Sequence, residues 1–246
     1  MTMRLKAVLC AAAATLALLS PSVATAKELE RGDVEKIIHD YLLANPEILN
    51  EMIEELKARE ERTAADKAKT GIAQSKDALL NDGFSYVAGN PNGDVTLVEF
   101  FDYRCGYCKK ARPEIVKLLE QDGNVRLIVK ELPILSEVSH EAAKAAIAAL
   151  NQGGDQYWKF HQALLSAEDL DSDAIYDVAG GVGLDVARLK KDMEDPAIED
   201  KIKKTHELAE AIGVDGTPAF IIGDQLIPGY MTADDLKDIV AAQRGG

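Results

Sequence analysis

The sequence predicts an α/β fold: a small sheet interrupted by a helical insertion, closed by a C-terminal hairpin and helix, and preceded by a helical segment. Three observations carry this expectation. A strand-like run, Thr96 to Phe101, leads through Cys105-Gly106-Tyr107-Cys108 into a helix-like stretch, and a second strand follows at Val125 to Leu132. Strand, helix, strand of this length implies a right-handed parallel crossover. Residues 139–212 then show helical patterns and no strand pattern, and strand character returns only at Ala219 to Ile222 and Gln225 to Ile227, across a tight Gly223-Asp224 turn.

In chain order, residues 1–26 have the three parts of a cleaved export signal. Arg4 and Lys6 give the positive start, Ala7 to Leu19 the apolar run, and Ala24-Thr25-Ala26 the small-residue cleavage site. The apolar run is shorter than the ~20 residues that cross a bilayer comfortably. Leu9 before Cys10 is bulky where a lipobox carries a small residue. No later segment is apolar enough to span, so a soluble mature chain is expected, without stable membrane insertion. Loss of Arg4 and Lys6 takes the formal charge from −14 to −16. So acidic a chain is a poor partner for nucleic acid or anionic lipid.

Residues 27–80 read as a helical N-terminal region and linker. Asp33 is the expected N-cap, and Val34, Ile37, Ile38, Tyr41 and Leu42 recur at helical spacing. Asn45-Pro46 breaks the pattern, because the residue before proline is pushed out of the helical region while proline suits a first turn. Ile48, Leu49, Met52, Ile53 and Leu56 form the next apolar face, and Lys57 to Lys76 is charged, alanine-rich and either a solvated helix or a connector. The apolar faces either pack on the main domain or self-associate. From residue 84 to 246 lies the main domain. Its turn cluster Asn90-Pro91-Asn92-Gly93-Asp94 precedes the first strand, and Cys105 to Glu120 follows as a helix. The insertion holds helices at Ala142 to Leu150, Gln156 to Leu165, Ser172 to Val178, Val186 to Met193 and Ala197 to Ile212. Thr232 caps a last helix, Ala233 to Gln243.

The chemistry sits at the cysteine pair. With the signal removed, Cys105 and Cys108 are the only cysteines left of the three. One close pair in an exported chain builds no disulfide framework, and its spacing suits a couple in which one sulfur attacks and the other resolves. Cys105 falls at the helix N-terminus, where unpaired N–H groups and the dipole favour a thiolate, and Arg104, Lys109 and Lys110 add positive charge nearby. Cys108, one turn on, is the expected resolving thiol, and Pro113 is expected to kink the helix. Glu99, six residues before Cys105, is either a strand-edge charge or a partly buried acid of raised pKa that moves protons, with Lys130 as its possible counter-charge. A zinc site would need more ligands, and His39, His140, His161 and His206 show no ligand spacing with the pair. Trp158 and Phe160 are the simplest core aromatics. Two thiolates also permit soft Cu(I) at Cys105 and Cys108, which makes a copper-handling or chaperone module the alternative of a different class. No cofactor is implied.

Strand, Cys-X-X-Cys at a helix start, proline five residues on, and Thr217-Pro218 before a late strand together resemble the thioredoxin fold, over roughly residues 84–245. The resemblance implies that Pro218 faces the cysteine pair in cis and that Thr217 shapes its surroundings; Asp215-Gly216-Thr217-Pro218-Ala219-Phe220 fits that pattern. The insertion and Glu99-Phe100-Phe101 are similar to the bacterial DsbA branch. Gly106-Tyr107 and Thr217 resemble the isomerase DsbC more than the oxidase DsbA. Tyr41-Leu42-Leu43-Ala44-Asn45-Pro46-Glu47 looks like the N-terminal region of ScsC-type proteins, which makes that region an oligomerisation segment, with a trimer favoured. The resemblance implies a periplasmic thiol–disulfide oxidoreductase of a Gram-negative bacterium, with isomerase or reductase action favoured over DsbA-like net oxidation. Its expected partners are misoxidised or reduced exported proteins and a membrane redox partner that resets the pair.

Overall fold

A computed structural model describes residues 29–245. The expected export signal and Cys10 lie outside the described residues. The chain divides into two compact units, the first ending at Glu54 and the second beginning at Glu55.

In the first unit, helix α1 covers Arg31–Ala44 and helix α2 begins at Glu47, so the chain breaks where Asn45-Pro46 requires it. The N-cap is Glu30 rather than Asp33. Glu30 and Asp33 form a reciprocal capping box, which moves the helix start upstream and leaves Asp33 three positions inside it. Nothing in α1 is buried. Ile37, Ile38, Tyr41, Leu42, Leu43, Leu49, Met52 and Ile53 all stand exposed.

In the second unit, α2 continues to Gln74 and α3 covers Lys76–Leu80, so the charged stretch is helical. Ala68, Gly71, Ile72 and Leu79 are buried with the sheet's core. The compact unit therefore begins well upstream of residue 84. Gly71 explains one close approach: a Cβ there would lie 2.4 Å from the Ala211 carbonyl oxygen.

Five strands form one sheet in the order β1-β3-β2-β4-β5. They are β1 (Tyr86–Gly89), β2 (Val95–Phe101), β3 (Val125–Glu131), β4 (Ala219–Ile222) and β5 (Gln225–Pro228). β2 and β3 are parallel, as the crossover requires, and the other pairings are antiparallel. The sequence pattern did not reveal β1, whose second half, Ala88-Gly89, has little strand preference. The β4–β5 turn places Gly223 at φ +63°, a conformation glycine reaches without strain.

Strand periodicity sorts the core into two layers. Leu97, Phe101, Leu127 and Val129 join the core shared with the insertion, whereas Val98, Phe100 and Ile128 pack with Ile72, Leu79, Leu208 and Ile212. Glu99 lies on the first face and Lys130 on the second, so Lys130 is not the counter-charge of Glu99. Its ammonium instead reaches Asp82 Oδ2 at 2.6 Å, Ala78 O at 3.1 Å and Ser85 Oγ at 3.2 Å.

Helix α4 covers Gly106–Gln121 as one element running through Pro113. The insertion comprises α5 (Glu137–Ala149), a 3-10 turn, α6 (Gly154–Ser166), α7 (Ser172–Gly181), α8 (Val186–Asp192) and α9 (Pro196–Ile212). Ser136, Asp171, Asp185 and Asp195 cap α5, α7, α8 and α9 through their side chains. α10 (Ala233–Gly245) closes the fold, its Arg244 forked between Asp94 at 2.7 Å and Asp122 at 2.6 Å.

Candidate redox site

The site is built from the end of β2 outward. Asp102, fully buried, accepts hydrogen bonds from the backbone N–H groups of Arg104 at 2.7 Å, Ile134 at 2.9 Å and Leu135 at 3.1 Å. Its own carbonyl accepts the Cys105 N–H at 3.0 Å. The loop is therefore locked before the helix starts, and Cys105 becomes the N-cap of α4 with extended backbone, φ −72° and ψ 115°. That places its sulfur against the first-turn N–H groups. Cys108 lies beneath it, wholly buried, and both thiols are free. From the far side of the sheet order, Thr217-Pro218 enters β4 through a cis peptide, and the Thr217 carbonyl accepts the Cys105 thiol at 3.1 Å. Gly106 and Tyr107 face solvent.

The two sulfurs are strongly differentiated. A hydrogen bond from the Cys108 thiol, helped by the Thr217 side chain and the N–H groups of Cys108 and Tyr107, holds Cys105 down to about 5 against some opposition from burial. Burial pushes Cys108 far above the ordinary thiol range, and its hydrogen bond to Cys105 and the charge of Glu99 push the same way. At neutral pH Cys105 is a thiolate and Cys108 a thiol. When Cys105 is protonated, its thiol donates to the Thr217 carbonyl. Glu99 is buried rather than at an edge, pushed up to about 8 by burial and by the neighbouring Cys105 charge. One of its carboxyl oxygens has no partner among the described residues.

The basic neighbours are not what stabilises the thiolate. Lys109 Nζ is committed to the end of α6, donating to the Ala167 carbonyl at 2.5 Å, and Lys110 Nζ lies over the Tyr107 ring at 5.2 Å. Arg104 reaches Ser136 Oγ at 3.5 Å. Each long side chain finds a partner away from the sulfur, leaving dipoles and hydrogen bonds to do the work. Sequence reading also passed over Asp102; an Asp directly after a strand and two residues before a bonded N–H is an Asx-turn signal. Of the histidines, His161 is buried in the insertion core and His140 pairs with Glu199 at 3.0 Å. Among the described residues no group of three or more His, Cys, Asp and Glu side chains is arranged to hold a metal ion, and no helix is long and apolar enough to cross a membrane.

A differentiated dithiol at a helix N-terminus, faced by a cis-proline loop on a thioredoxin-like sheet, defines the thiol–disulfide oxidoreductase class. The chain belongs to the DSBA-like thioredoxin domain family, which matches residues 96–241, and residues 30–62 match the copper resistance protein ScsC N-terminal domain. A thioredoxin-like oxidoreductase from Silicibacter pomeroyi DSS-3 is 43% identical, covers 69% of this chain and 98% of its own, and superposes with a TM-score of 0.67. A linker-deletion mutant of Proteus mirabilis ScsC is 30% identical, covers 91% of this chain and 99% of its own, with a TM-score of 0.69. Among curated relatives, a Na(+)/H(+) antiporter NhaA 3 of Salinispora tropica is 31% identical over 140 residues, covering 56% of this chain and 21% of that protein. The chain thus spans about a fifth of the length of that relative.

Proposed function

We propose that the protein exchanges disulfides in exported proteins of the periplasm, with Cys105 attacking and Cys108 resolving, and that it acts as an isomerase or reductase more than as a net oxidant. The observation that carries the exchange chemistry is the opposed ionisation of the two sulfurs, Cys105 held down to about 5 and Cys108 pushed up. The Cys105 thiolate attacks one sulfur of a client disulfide; a Cys105–client disulfide forms and the other client sulfur leaves as a thiolate. A client thiolate then attacks the mixed disulfide, forming a new client disulfide and releasing Cys105, with no net electron transfer. Alternatively Cys108 attacks the Cys105 sulfur, and the client leaves reduced by two electrons while the pair is oxidised by two. A membrane partner of dithiol chemistry would return those electrons.

Glu99 supports the resolving step. While Cys105 is charged, its field helps keep Glu99 protonated. Once Cys105 enters the mixed disulfide that charge is gone, Glu99 ionises more readily, and it becomes a base able to take the proton of Cys108. Thr217 and Pro218 form the opposite wall, and Gly106 and Tyr107 the exposed edge where a client would dock. The preference for isomerase action is supported by two features. Gly106-Tyr107 and Thr217 resemble DsbC, and the bare apolar residues of the first unit suit self-association into a homo-oligomer, a trimer favoured. Gathering several sites raises their effective concentration on one client.

Cys105→Ser is expected to abolish reactivation of scrambled ribonuclease, while Cys108→Ser traps clients as mixed disulfides; full activity in Cys105→Ser would sink the reading. A redox potential near the ~−180 mV of an isomerase rather than the ~−120 mV of a strong oxidase is expected against glutathione. Light scattering is expected to show an oligomer for the mature chain and a monomer for a chain beginning at Glu55. Equal monomer masses would remove self-association.

A further inference from the structure

Behind the Cys105 loop lies a buried polar cluster whose members are far apart in sequence. Tyr103 comes from the loop after β2, Tyr157 and His161 from α6, and Glu131 from the end of β3; all are at most 3% exposed. The Tyr157 hydroxyl donates to Glu131 Oε1 at 2.5 Å, and Tyr103 Oη lies 3.1 Å from His161 Nδ1. The rings of Tyr157 and His161, stacked at 5.8 Å, bring the two pairs together. The rings fix the arrangement: His161 stacks on Trp158 at 5.1 Å and meets Phe101 edge-on at 4.8 Å, and Phe101 meets Tyr103 edge-on at 5.0 Å.

Each phenol has one proton. Tyr157 commits its proton to Glu131, and the Tyr103 hydroxyl shares one hydrogen bond with His161 Nδ1. Burial holds His161 down to about 3, so its ring is neutral. Burial raises Glu131 to about 7, with Lys130 and Asp82 acting on it from beside and behind β3. Arg112 on α4 acts on His161, and Glu99 on Tyr103.

Tyr103 is two residues before Cys105. Asp102 fixes that loop through its carboxylate, and the Tyr103 side chain fixes it from the insertion. We propose that Tyr103 is a positioning residue for Cys105, held by its hydrogen bond to His161 of α6, through which the packing of the helical insertion sets the stability of the Cys105 thiolate. This rests on the reading of Cys105 as the attacking thiol. Tyr103 acts on the reaction through the loop backbone.

Tyr103→Phe tests this, since it keeps the ring and its contact with Phe101 and deletes one hydroxyl. The thiolate absorbance of Cys105 is expected to titrate at higher pH. The glutathione equilibrium is expected to move about threefold or more toward the protein disulfide, ~14 mV at ~30 mV per decade for two electrons. His161→Phe keeps an aromatic ring and removes the partner of the hydroxyl; it is expected to shift both in the same direction, which decides the matter should Tyr103→Phe fail to fold. A folded variant with unchanged thiolate titration and glutathione equilibrium overturns the proposal. A wild-type pair that does not exchange with glutathione at all would instead remove the reading of Cys105, and this inference with it.

Discussion

Replacing Glu99 with Gln is expected to stabilise the reduced protein in a strongly pH-dependent way. Burial and the Cys105 charge hold the Glu99 carboxyl at about 8 against an ordinary 4.5. The folded state therefore keeps a proton that the unfolded state has released, and stability falls as pH rises from 4.5 to 8. At ~1.36 kcal/mol per pH unit the full penalty is about 5 kcal/mol above pH 8, and only about 1 kcal/mol is felt at pH 5. Glutamine keeps the shape and loses the titration. Its buried amide costs the same at every pH, so the difference between pH 5 and pH 9 isolates the ionisation. Urea denaturation at the two pH values should show Glu99→Gln gaining about 4 kcal/mol more at pH 9 than at pH 5. The gain should shrink in the oxidised protein, where Cys105 has no charge to oppose Glu99. An equal effect at both pH values would refute the argument, and so would identical behaviour of the two redox forms.

Asp102→Ala leaves the N–H groups of Arg104, Ile134 and Leu135 without their acceptor; a loss of about 3 kcal/mol or more is expected by urea denaturation, with Asp102→Asn recovering part. Gly71→Ala, which ordinarily strengthens a helix by about 1 kcal/mol, is expected to destabilise here. Its methyl would meet the Ala211 carbonyl oxygen at 2.4 Å, and faster amide exchange in α2 near Gly71 would report it. Lys130→Met is expected to cost about 3 kcal/mol at neutral pH by stranding the Asp82 carboxylate. Lys130 and the Ser85 bonds hold Asp82 below its ordinary range against its own burial, so its contribution is present above that range and lost as pH falls through the folded value. The Lys130→Met penalty should therefore fade in acid, and a penalty constant down to acid pH would contradict it. Burial also lowers Lys130 itself, so the bridge orders the α3–β1 connection without repaying all of that cation's desolvation.

Much of the fold is local and was legible for that reason. Helix breaks at Asn45-Pro46, strand runs at Thr96 to Phe101 and Ala219 to Ile222, and the helix after Cys105 all follow from periodicity, proline geometry and turn residues. β1 was not legible, because Tyr86–Gly89 ends in Ala88-Gly89, which have little strand preference, and its strand character comes from pairing with β3. The Asp33 cap was misplaced because Glu30 and Asp33 share a capping box, which is reciprocal and reads from either end. At the site, the cysteines, Thr217-Pro218 and Glu99 could be named from spacing and resemblance, since each carries its chemistry in its residue type.

The order of the two sulfurs and the help of the first-turn N–H groups were expected from the helix start; the leading part of Cys108 was not, and the lysines and arginine expected to add charge are drawn elsewhere. Charge on a flexible stem goes to whichever partner the tertiary fold brings near, and sequence distance does not measure that. Likewise no spacing rule joins Glu131, Tyr157, Tyr103 and His161, or separates Glu99 from Lys130 by a sheet's thickness. The sequence by itself determined most of the elements and, as expectations, the export-type amino terminus and the attacking and resolving thiols. Only the tertiary structure decided which polar groups are buried together. Their energetics depend on desolvation and on contacts between residues far apart in sequence, which local pattern does not encode.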